Sequence, residues 1–171
     1  GTQLINIGNN TFTNNSAQSG GGGVMYIFAD YVNQTIAVGN NTFTNHSARS
    51  GGVMAIGAFN VNQTIAIGNN TFTNSVQSGS GGVIYIYAYD FANQTIAIGN
   101  NTFTNHSAQT YGGVMYFYTY SDVNQTIAIG NNTFTNNSAQ SGNGGVMYID
   151  AYTANQTIAI GNNTFTNHSA Q

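Results

Sequence analysis

Charged residues are almost absent from this sequence of 171 residues. It contains one arginine, Arg49, no lysine and four acidic residues, so that its formal net charge is −3. A basic surface for nucleic acid or anionic lipid is therefore excluded, and we expect no nucleic-acid partner. Cysteine is absent altogether, which rules out a disulfide framework and a thiolate metal site.

Long apolar runs are also missing. No segment approaches the roughly 20 consecutive apolar residues that cross a bilayer as a helix, so we expect no membrane insertion. The combination of few charges with 11 tyrosines raises a different problem, because similar β-strands that lack charge tend to associate or precipitate. Either another feature keeps the protein dispersed, or association is its purpose.

The chain instead repeats one motif. The heptapeptide GNNTFTN occurs six times, and successive copies are 31, 29, 31, 31 and 31 residues apart. The copies begin at Gly8, Gly39, Gly68, Gly99, Gly130 and Gly161. A period of this length is typical of a solenoid, in which each repeat is one coil that cannot bury its apolar face alone. The sequence therefore predicts a single solenoid repeat domain over residues 1–171.

The second copy shows how one coil is built. Alternating and β-branched residues predict strands at 35–38 and 42–44, joined by a glycine–asparagine turn at 39–41. The polar segment 45–52 is predicted as a loop, and 53–56 as a third strand. Because parallel crossovers are overwhelmingly right-handed, we expect an all-β, right-handed parallel β-helix. It should have about 31 residues and three short strands per coil, in five to six coils.

Alternation also predicts which side chains face inward. In the second coil these are Ile36, Val38 and Phe43. The third strands contribute two further inward columns, Met25, Met54, Ile84, Met115 and Met147 together with Ile27, Ile56, Ile86, Phe117 and Ile149. About five large apolar side chains stabilise a coil by roughly 10 kcal/mol, whereas ordering its residues costs several times more. We therefore expect only stacked coils to fold.

Two short elements accompany each coil. A Phe-x-x-Asn element is present at 12–15 and 134–137, and a Gly-Gly-Val-aliphatic element at 22–25 and 81–84. This pairing resembles the Phe-x-x-Asn and Gly-Gly-Ala-aliphatic repeats of the chlamydial polymorphic membrane proteins (Pmp-type passenger domains). The resemblance implies a right-handed β-helix and a role in surface adhesion. The chain departs from the pattern where the asparagine is replaced by His46, Ser75, His106 and His168.

Asparagine lies in Asn-x-Ser/Thr tripeptides that form three columns. The NQT column consists of Asn33, Asn62, Asn93, Asn124 and Asn155. The NNT column consists of Asn9, Asn40, Asn69, Asn100, Asn131 and Asn162. The third column, in NNS or NHS, consists of Asn14, Asn45, Asn105, Asn136 and Asn167. In a eukaryotic secretory route such tripeptides accept N-linked glycans. The alternative is that the asparagines form stacked amide ladders at the turns.

Predicted orientation separates the three columns. Asn40 has outward parity and Asn33 precedes an outward threonine, so the NNT and NQT columns are our glycosylation candidates. Asn45 has the parity of the inward phenylalanine of its strand. The third coil also keeps Asn74 although Val76 destroys its tripeptide, which favours a structural role. The third column is therefore the weaker candidate.

The predicted third strands carry an aromatic face opposite their inward columns. This tyrosine face comprises Tyr26, Phe28, Tyr85, Tyr87, Tyr89, Tyr116, Tyr118, Tyr120, Tyr148 and Tyr152. Only the second coil interrupts it, with Ala55 and Gly57. Cross-strand stacking explains part of this face, but contiguous tyrosines are also typical of protein interfaces and stack on sugar rings. Protein contact, glycan binding and the absence of a partner are the alternatives.

The TFT segments place two threonines per coil at outward positions, such as Thr42 and Thr44. This pattern resembles the flat ice-binding face of insect β-solenoid antifreeze proteins. A sugar on Asn40 would disrupt such a face, because Thr42 completes its tripeptide. Threonine is also a common outward residue of strands, so ice binding is only an alternative.

Catalytic groups are sparse. Polysaccharide-cleaving β-helix enzymes need clustered carboxylates or a base, and the four aspartates lie on different coils, at Asp30, Asp90, Asp122 and Asp150. His46, His106 and His168 recur on every second coil, about 10 Å apart, which is too far to bind one metal ion. We expect these histidines to replace asparagine in a turn, and we expect no enzyme activity, no metal and no cofactor beyond covalent N-glycans.

Neither end of the sequence carries a polar cap, although solenoids normally need one. We therefore expect either a fragment of a longer array or one protomer of a filament. The leading prediction is an extracellular or cell-surface structural or adhesive protein that forms or coats a fibre. It should be N-glycosylated and self-associate end to end or laterally. The alternative is a monomeric binding module that recognises glycans through the tyrosine face or ice through the threonines.

Overall fold

The computed structural model describes all residues from 1 to 171 and contains 23 β-strands and no helix. Four strands follow one another in each coil, and each pairs in parallel with its counterpart in the next coil. The predicted parallel β-solenoid is thereby confirmed, with five four-stranded coils and three strands of a sixth. We define coil 1 as residues 2–32, coil 2 as 33–61, coil 3 as 62–92, coil 4 as 93–123, coil 5 as 124–154 and coil 6 as 155–171.

The strands form four parallel sheets. The first sheet contains β1 (Thr2–Gly8), β5 (Asn33–Gly39), β9 (Asn62–Gly68), β13 (Asn93–Gly99), β17 (Asn124–Gly130) and β21 (Asn155–Gly161). The second contains β2 (Thr11–Thr13), β6 (Thr42–Thr44), β10 (Thr71–Thr73), β14 (Thr102–Thr104), β18 (Thr133–Thr135) and β22 (Thr164–Thr166). The third contains β3 (Ser16–Gly21), β7 (Ser47–Ser50), β11 (Val76–Gln77), β15 (Ser107–Ala108), β19 (Ser138–Ala139) and β23 (Ser169–Ala170). The fourth contains β4 (Met25–Asp30), β8 (Met54–Phe59), β12 (Ile84–Tyr89), β16 (Met115–Tyr120) and β20 (Met147–Tyr152).

Like residues lie over one another along the solenoid axis. In the first sheet, for example, Ile96 pairs with Ile65. The phenylalanines of the second sheet stack with ring centroids 4.8–5.0 Å apart and interplanar angles of at most 7°. One cluster of 23 buried apolar side chains fills the interior. The predicted inward positions are confirmed, since Ile36, Val38 and Phe43 are buried and both inward columns of the fourth sheet are buried in coils 3 and 4.

The segment predicted as a loop at 45–52 contains an additional short strand. This strand, β7, bonds to the neighbouring coils through its backbone, as when the Ser47 N–H donates to the Asn15 carbonyl at 3.1 Å. The predicted number of three strands per coil is therefore wrong, and the correct number is four. Most strands of this sheet have only two residues, which is too few to show alternation.

Asparagine forms the turns between these sheets. The first asparagine of each GNNT segment has positive φ, as for Asn40 at 58°, and so does the asparagine after each TFT, as for Asn45 at 59°. Asparagine enters this left-handed region more readily than most other residues with a side chain. The left-handed residue breaks the strand alternation, so that Asn45 is exposed. The prediction that the third column shares the inward parity of Phe43 is therefore wrong.

Candidate functional surfaces

The NNT column lies on the outside of the turn between the first and second sheets. All six of its asparagines are exposed. The hydrogen bonds of this turn are made by the following asparagine instead, as Asn41 shows. Each NNT amide is therefore directed to solvent and free to carry a substituent without breaking a contact of the fold.

The second asparagine of each GNNT segment forms an interior ladder, which sequence reasoning foresaw only in general terms. This asparagine ladder consists of Asn10, Asn41, Asn70, Asn101, Asn132 and Asn163. Asn70 shows its bonding: its backbone N–H donates to Asn101 Oδ1 at 2.9 Å, and its Nδ2 donates to the Val38 carbonyl at 2.9 Å. The ladder ties three consecutive coils together at the turn.

The NQT column has a different environment from the NNT column. Its asparagines are exposed, but in coils 3 to 6 their side chains bond to one another. Asn93 Nδ2 donates to Asn62 Oδ1 at 2.9 Å, and Asn124 Nδ2 donates to Asn93 Oδ1 at 3.0 Å. A glycan replaces one hydrogen of Nδ2, so it competes with this external ladder.

The third column is as exposed as the NNT column. Asn14, Asn45, Asn105, Asn136 and Asn167 all lie on the outer side of a left-handed turn. Asn74, at the same place in coil 3, has φ of 55°. Its retention without a tripeptide is therefore explained by the backbone conformation.

A glutamine ladder runs inside the first sheet and was missed in the sequence. It consists of Gln3, Gln34, Gln63, Gln94, Gln125 and Gln156. Each Nε2 donates to the Oε1 of the preceding coil at 2.7–2.9 Å. In coils 2 to 6 a glutamine always lies between asparagine and threonine, and this constancy is the sequence signal for the ladder. The middle position of a glycosylation tripeptide accepts almost any residue, so the tripeptide alone gives the glutamine no role.

The histidines face the interior and act as turn residues, as predicted. His106 Nδ1 accepts the Ser75 N–H at 3.0 Å, and its Nε2 lies 3.1 Å from the Phe72 carbonyl. Asn137, one coil later, bonds in the same way, accepting the His106 N–H at 2.9 Å. Burial lowers the pKa of His106 to about 3, so its ring is neutral. Because Nδ1 accepts a hydrogen bond, the single ring proton lies on Nε2.

The tyrosine face lies on the outer side of the fourth sheet, and Asp150 of coil 5 also interrupts it, in the register of Tyr118. Tyr85 stacks on Tyr116 with centroids 5.3 Å apart, and Tyr120 stacks on Tyr152 at 5.1 Å. Burial above all, and then the neighbouring tyrosines, raises the pKa of the Tyr85 hydroxyl far above its ordinary value. The predicted cross-strand stacking is present, and the outer members of the face, Tyr26, Phe28, Tyr120 and Tyr152, are exposed.

The predicted interruption of this face in coil 2 is bridged. Tyr87 lies over Gly57, where an added Cβ would approach its ring to 2.3 Å. Its hydroxyl hydrogen-bonds to that of Tyr26 at 2.6 Å, and its ring lies 6.2 Å from that of Phe28. The side chain that coil 2 lacks is thus supplied by coil 3.

The two threonine columns of the TFT strands differ in exposure. Thr42 is exposed and Thr44 is half-buried, and coils 3 to 5 repeat this difference. Ice binding through these threonines stays an alternative hypothesis.

The remaining titratable side chains lie apart from one another. No cluster of three or more histidine, aspartate or glutamate side chains is close enough to hold a metal ion. No helix is present that could span a bilayer. The expectations of no enzyme activity, no metal and no cofactor stay predictions.

Comparison with known proteins gives no relative. No family model, no curated protein and no solved structure matches the chain. The resemblance to the chlamydial repeats stays a prediction.

Proposed function

We propose that this chain is an extracellular structural repeat protein that assembles end to end into a fibre or surface coat and carries N-linked sugars on its outer turns. The observation that carries the proposal is the polarity of the glutamine ladder. Every Nε2 donates toward coil 1. Gln3 therefore keeps an unused donor, and Gln156 keeps an unused acceptor.

The asparagine ladder has matching ends. Asn163 has a backbone N–H without the Oδ1 acceptor that its counterparts use, and Asn10 has an Oδ1 that no asparagine N–H reaches. If coil 1 of a second copy stacks on coil 6, Gln3 of that copy can donate to Gln156, and its Asn10 can accept from Asn163. Both ladders then continue with the geometry that they have inside the chain.

Apolar side chains favour the same contact. In coil 6, Ile158, Ile160 and Phe165 are 42%, 47% and 47% exposed, whereas their counterparts one coil earlier are at most 1% exposed. A further coil would cover them, and burying apolar area is the main favourable term in association. Such a contact is head-to-tail and does not close, so it generates a filament.

The joint is weaker than a coil–coil interface within the chain. The fourth sheet has five strands where the others have six, so the joint continues three sheets and interrupts the fourth. We therefore expect assembly to depend on concentration.

The assembly test compares two lysine substitutions on strand β21. Ile160→Lys places a charge on the apolar end surface, and we expect it to abolish filaments. Ala159→Lys lies on the outward side of the same strand and should leave assembly unchanged. Light scattering and negative-stain electron microscopy over a concentration series measure both, with circular dichroism to verify folding. Single particles of wild-type protein at every concentration would refute the assembly proposal.

Glycosylation would supply the solubility that charge does not. The NNT column is the best-placed acceptor, because its amides are exposed and unbonded, and the third column is equally exposed. Coils are about 4.8 Å apart along the axis, so sugars on successive coils must fan outward or occupy only some positions.

The glycosylation test uses the threonines of the second sheet. Secreted from a eukaryotic host, the wild-type chain should lose mass on enzymatic deglycosylation. Thr42→Val should remove the sugar from Asn40, whereas Thr44→Val, which completes no tripeptide, should remove none. Glycopeptide mass spectrometry measures occupancy at each site. A mass unchanged by deglycosylation would remove the sugar from the proposal and leave the assembly result standing.

A further inference from the structure

A cleft opens on the tyrosine face where coil 2 carries small residues. It has a volume of about 420 Å³ and is lined on its aromatic side by Tyr26, Tyr85, Tyr87 and Tyr89. In the register of Tyr26 and Tyr85, coil 2 has Ala55, so one ring of the face is missing here. The volume lies within the range of small-molecule sites.

The other side of this cleft is polar. Residues 19–21 and Ser50 contribute hydroxyl and backbone groups, and Arg49 lies among them. No carboxylate lines the cleft, and Arg49 is the only arginine or lysine of the whole chain. In the other coils that keep Ser-Ala before this position, the corresponding residue is Gln18, Gln109, Gln140 or Gln171. The only arginine or lysine side chain of the chain therefore lies beside Ala55, where coil 2 interrupts the aromatic face.

We infer that this Arg49 cleft binds an acidic sugar. Tyrosine rings stack on the apolar face of a pyranose ring, and the serines and glycine backbone can bond its hydroxyls. The Arg49 guanidinium pairs with a carboxylate of the sugar, because its planar group of N–H donors matches the two carboxylate oxygens. Because the net charge of the chain is −3, the rest of the protein repels such a ligand, and acid preference must come from Arg49.

The binding test uses trigalacturonate and its methyl ester, in which methoxy groups replace the negative charges on the same sugar rings. By isothermal titration calorimetry we expect the acid to bind at least tenfold more tightly than the ester, with a preference that salt weakens. Arg49→Gln installs the residue of the other coils and should remove the preference, whereas Arg49→Lys should keep part of it. Equal binding of both probes, or a preference that survives Arg49→Gln, would overturn the inference.

A matched pair tests the aromatic wall. Tyr26 and Tyr152 are both 59% exposed on the same face, but only Tyr26 lines the cleft. Tyr26→Ala should weaken binding of acid and ester at least tenfold, and Tyr152→Ala should leave both unchanged. Equal losses in the two variants, or no saturable binding of the acid at millimolar concentration, would also overturn it. Binding needs no assembly, so its failure does not bear on the filament.

Discussion

Replacing Gly82 by alanine should destabilise the solenoid by roughly 4 kcal/mol or more, which is exceptional for the addition of one methyl group. Gly82 is the second glycine of its Gly-Gly-Val element and is buried in coil 3. An added Cβ would lie 1.5 Å from the carbonyl oxygen of Gly113, its counterpart in coil 4. Because that atom belongs to the backbone, the two coils must separate.

Separation also breaks hydrogen bonds between the coils. The Gly82 N–H donates to the Gly112 carbonyl at 2.9 Å, and the Val83 N–H donates to the Val114 carbonyl at 2.7 Å. Both groups are buried, and a buried backbone group without a partner costs about 1–3 kcal/mol. The substitution therefore adds the loss of these bonds to the steric clash.

Gly68→Ala is the matched control. Gly68 ends strand β9, and an added Cβ would lie 3.4 Å from the Gly99 carbonyl oxygen, which is ordinary contact. We expect its effect to stay within about 1 kcal/mol. Urea unfolding followed by circular dichroism measures both midpoints. A Gly82→Ala midpoint equal to that of Gly68→Ala would show that the coils adjust to the extra atom, contrary to this account.

Periodicity explains why most of the fold could be predicted from the sequence. Strict alternation from Thr35 to Val38 identified the inward residues of the first sheet. Because every coil repeats this pattern, a correct assignment of inward and outward residues in one coil applies to all six coils. The turn asparagines were likewise predictable, since glycine and asparagine are the residues that accept positive φ.

Alternation failed wherever the chain leaves the extended conformation. Alternation gives Asn45 the inward parity of Phe43, but its left-handed backbone reverses the direction of its side chain. The third sheet went unrecognised because strands such as Val76–Gln77 are defined by bonds to neighbouring coils rather than by their own residues. These are tertiary effects, which a local pattern does not contain.

Coil 3 shows a second limit of sequence comparison. Its Ser-Val-Gln resembles the Ser-Ala-Gln of other coils, which would place Val76 inward with the alanines. In the structure Gln77 pairs with Ala108 instead, because Asn74 occupies the left-handed turn position. The Gln77 amide is then buried without a hydrogen-bond partner. The number of residues after the turn, rather than the similarity of the two tripeptides, therefore determines which side chain faces inward.

The candidate site needed side-chain geometry. The sequence showed that Ala55 and Gly57 interrupt the tyrosine face, and it showed that Arg49 is the only cation. It did not show that Tyr87 would lie over Gly57 and bond to Tyr26, which leaves the cleft beside Arg49. A contact between side chains two coils apart, such as that of Tyr26 with Tyr87, leaves no recognisable pattern in the sequence of either strand.

Acid should destabilise the solenoid through its buried histidines. Burial lowers the pKa of His106 to about 3 and also lowers the pKa values of His46 and His168. In the unfolded chain a histidine has a pKa of about 6.5. The unfolded state therefore binds more protons below pH 6.5, and stability is lost as the pH falls from 6.5 toward 3. Between pH 6.5 and 4.5, His106 alone should lower the free energy of unfolding by about 2 kcal/mol.

The histidine column itself indicates a variant that tests this acid sensitivity. Asn137 occupies the position of His106 one coil later, accepts the His106 N–H and donates to the Phe103 carbonyl at 3.3 Å. His106→Asn should therefore keep the turn and lose the part of the pH dependence that His106 contributes. Urea midpoints at pH 7.5 and 4.5 measure it, with His168→Asn as the control, because His168 lies in the exposed end coil and should change the slope less. An unaltered pH slope in His106→Asn would mean that the ring accepts its proton within the fold, which its bond from the Ser75 N–H opposes.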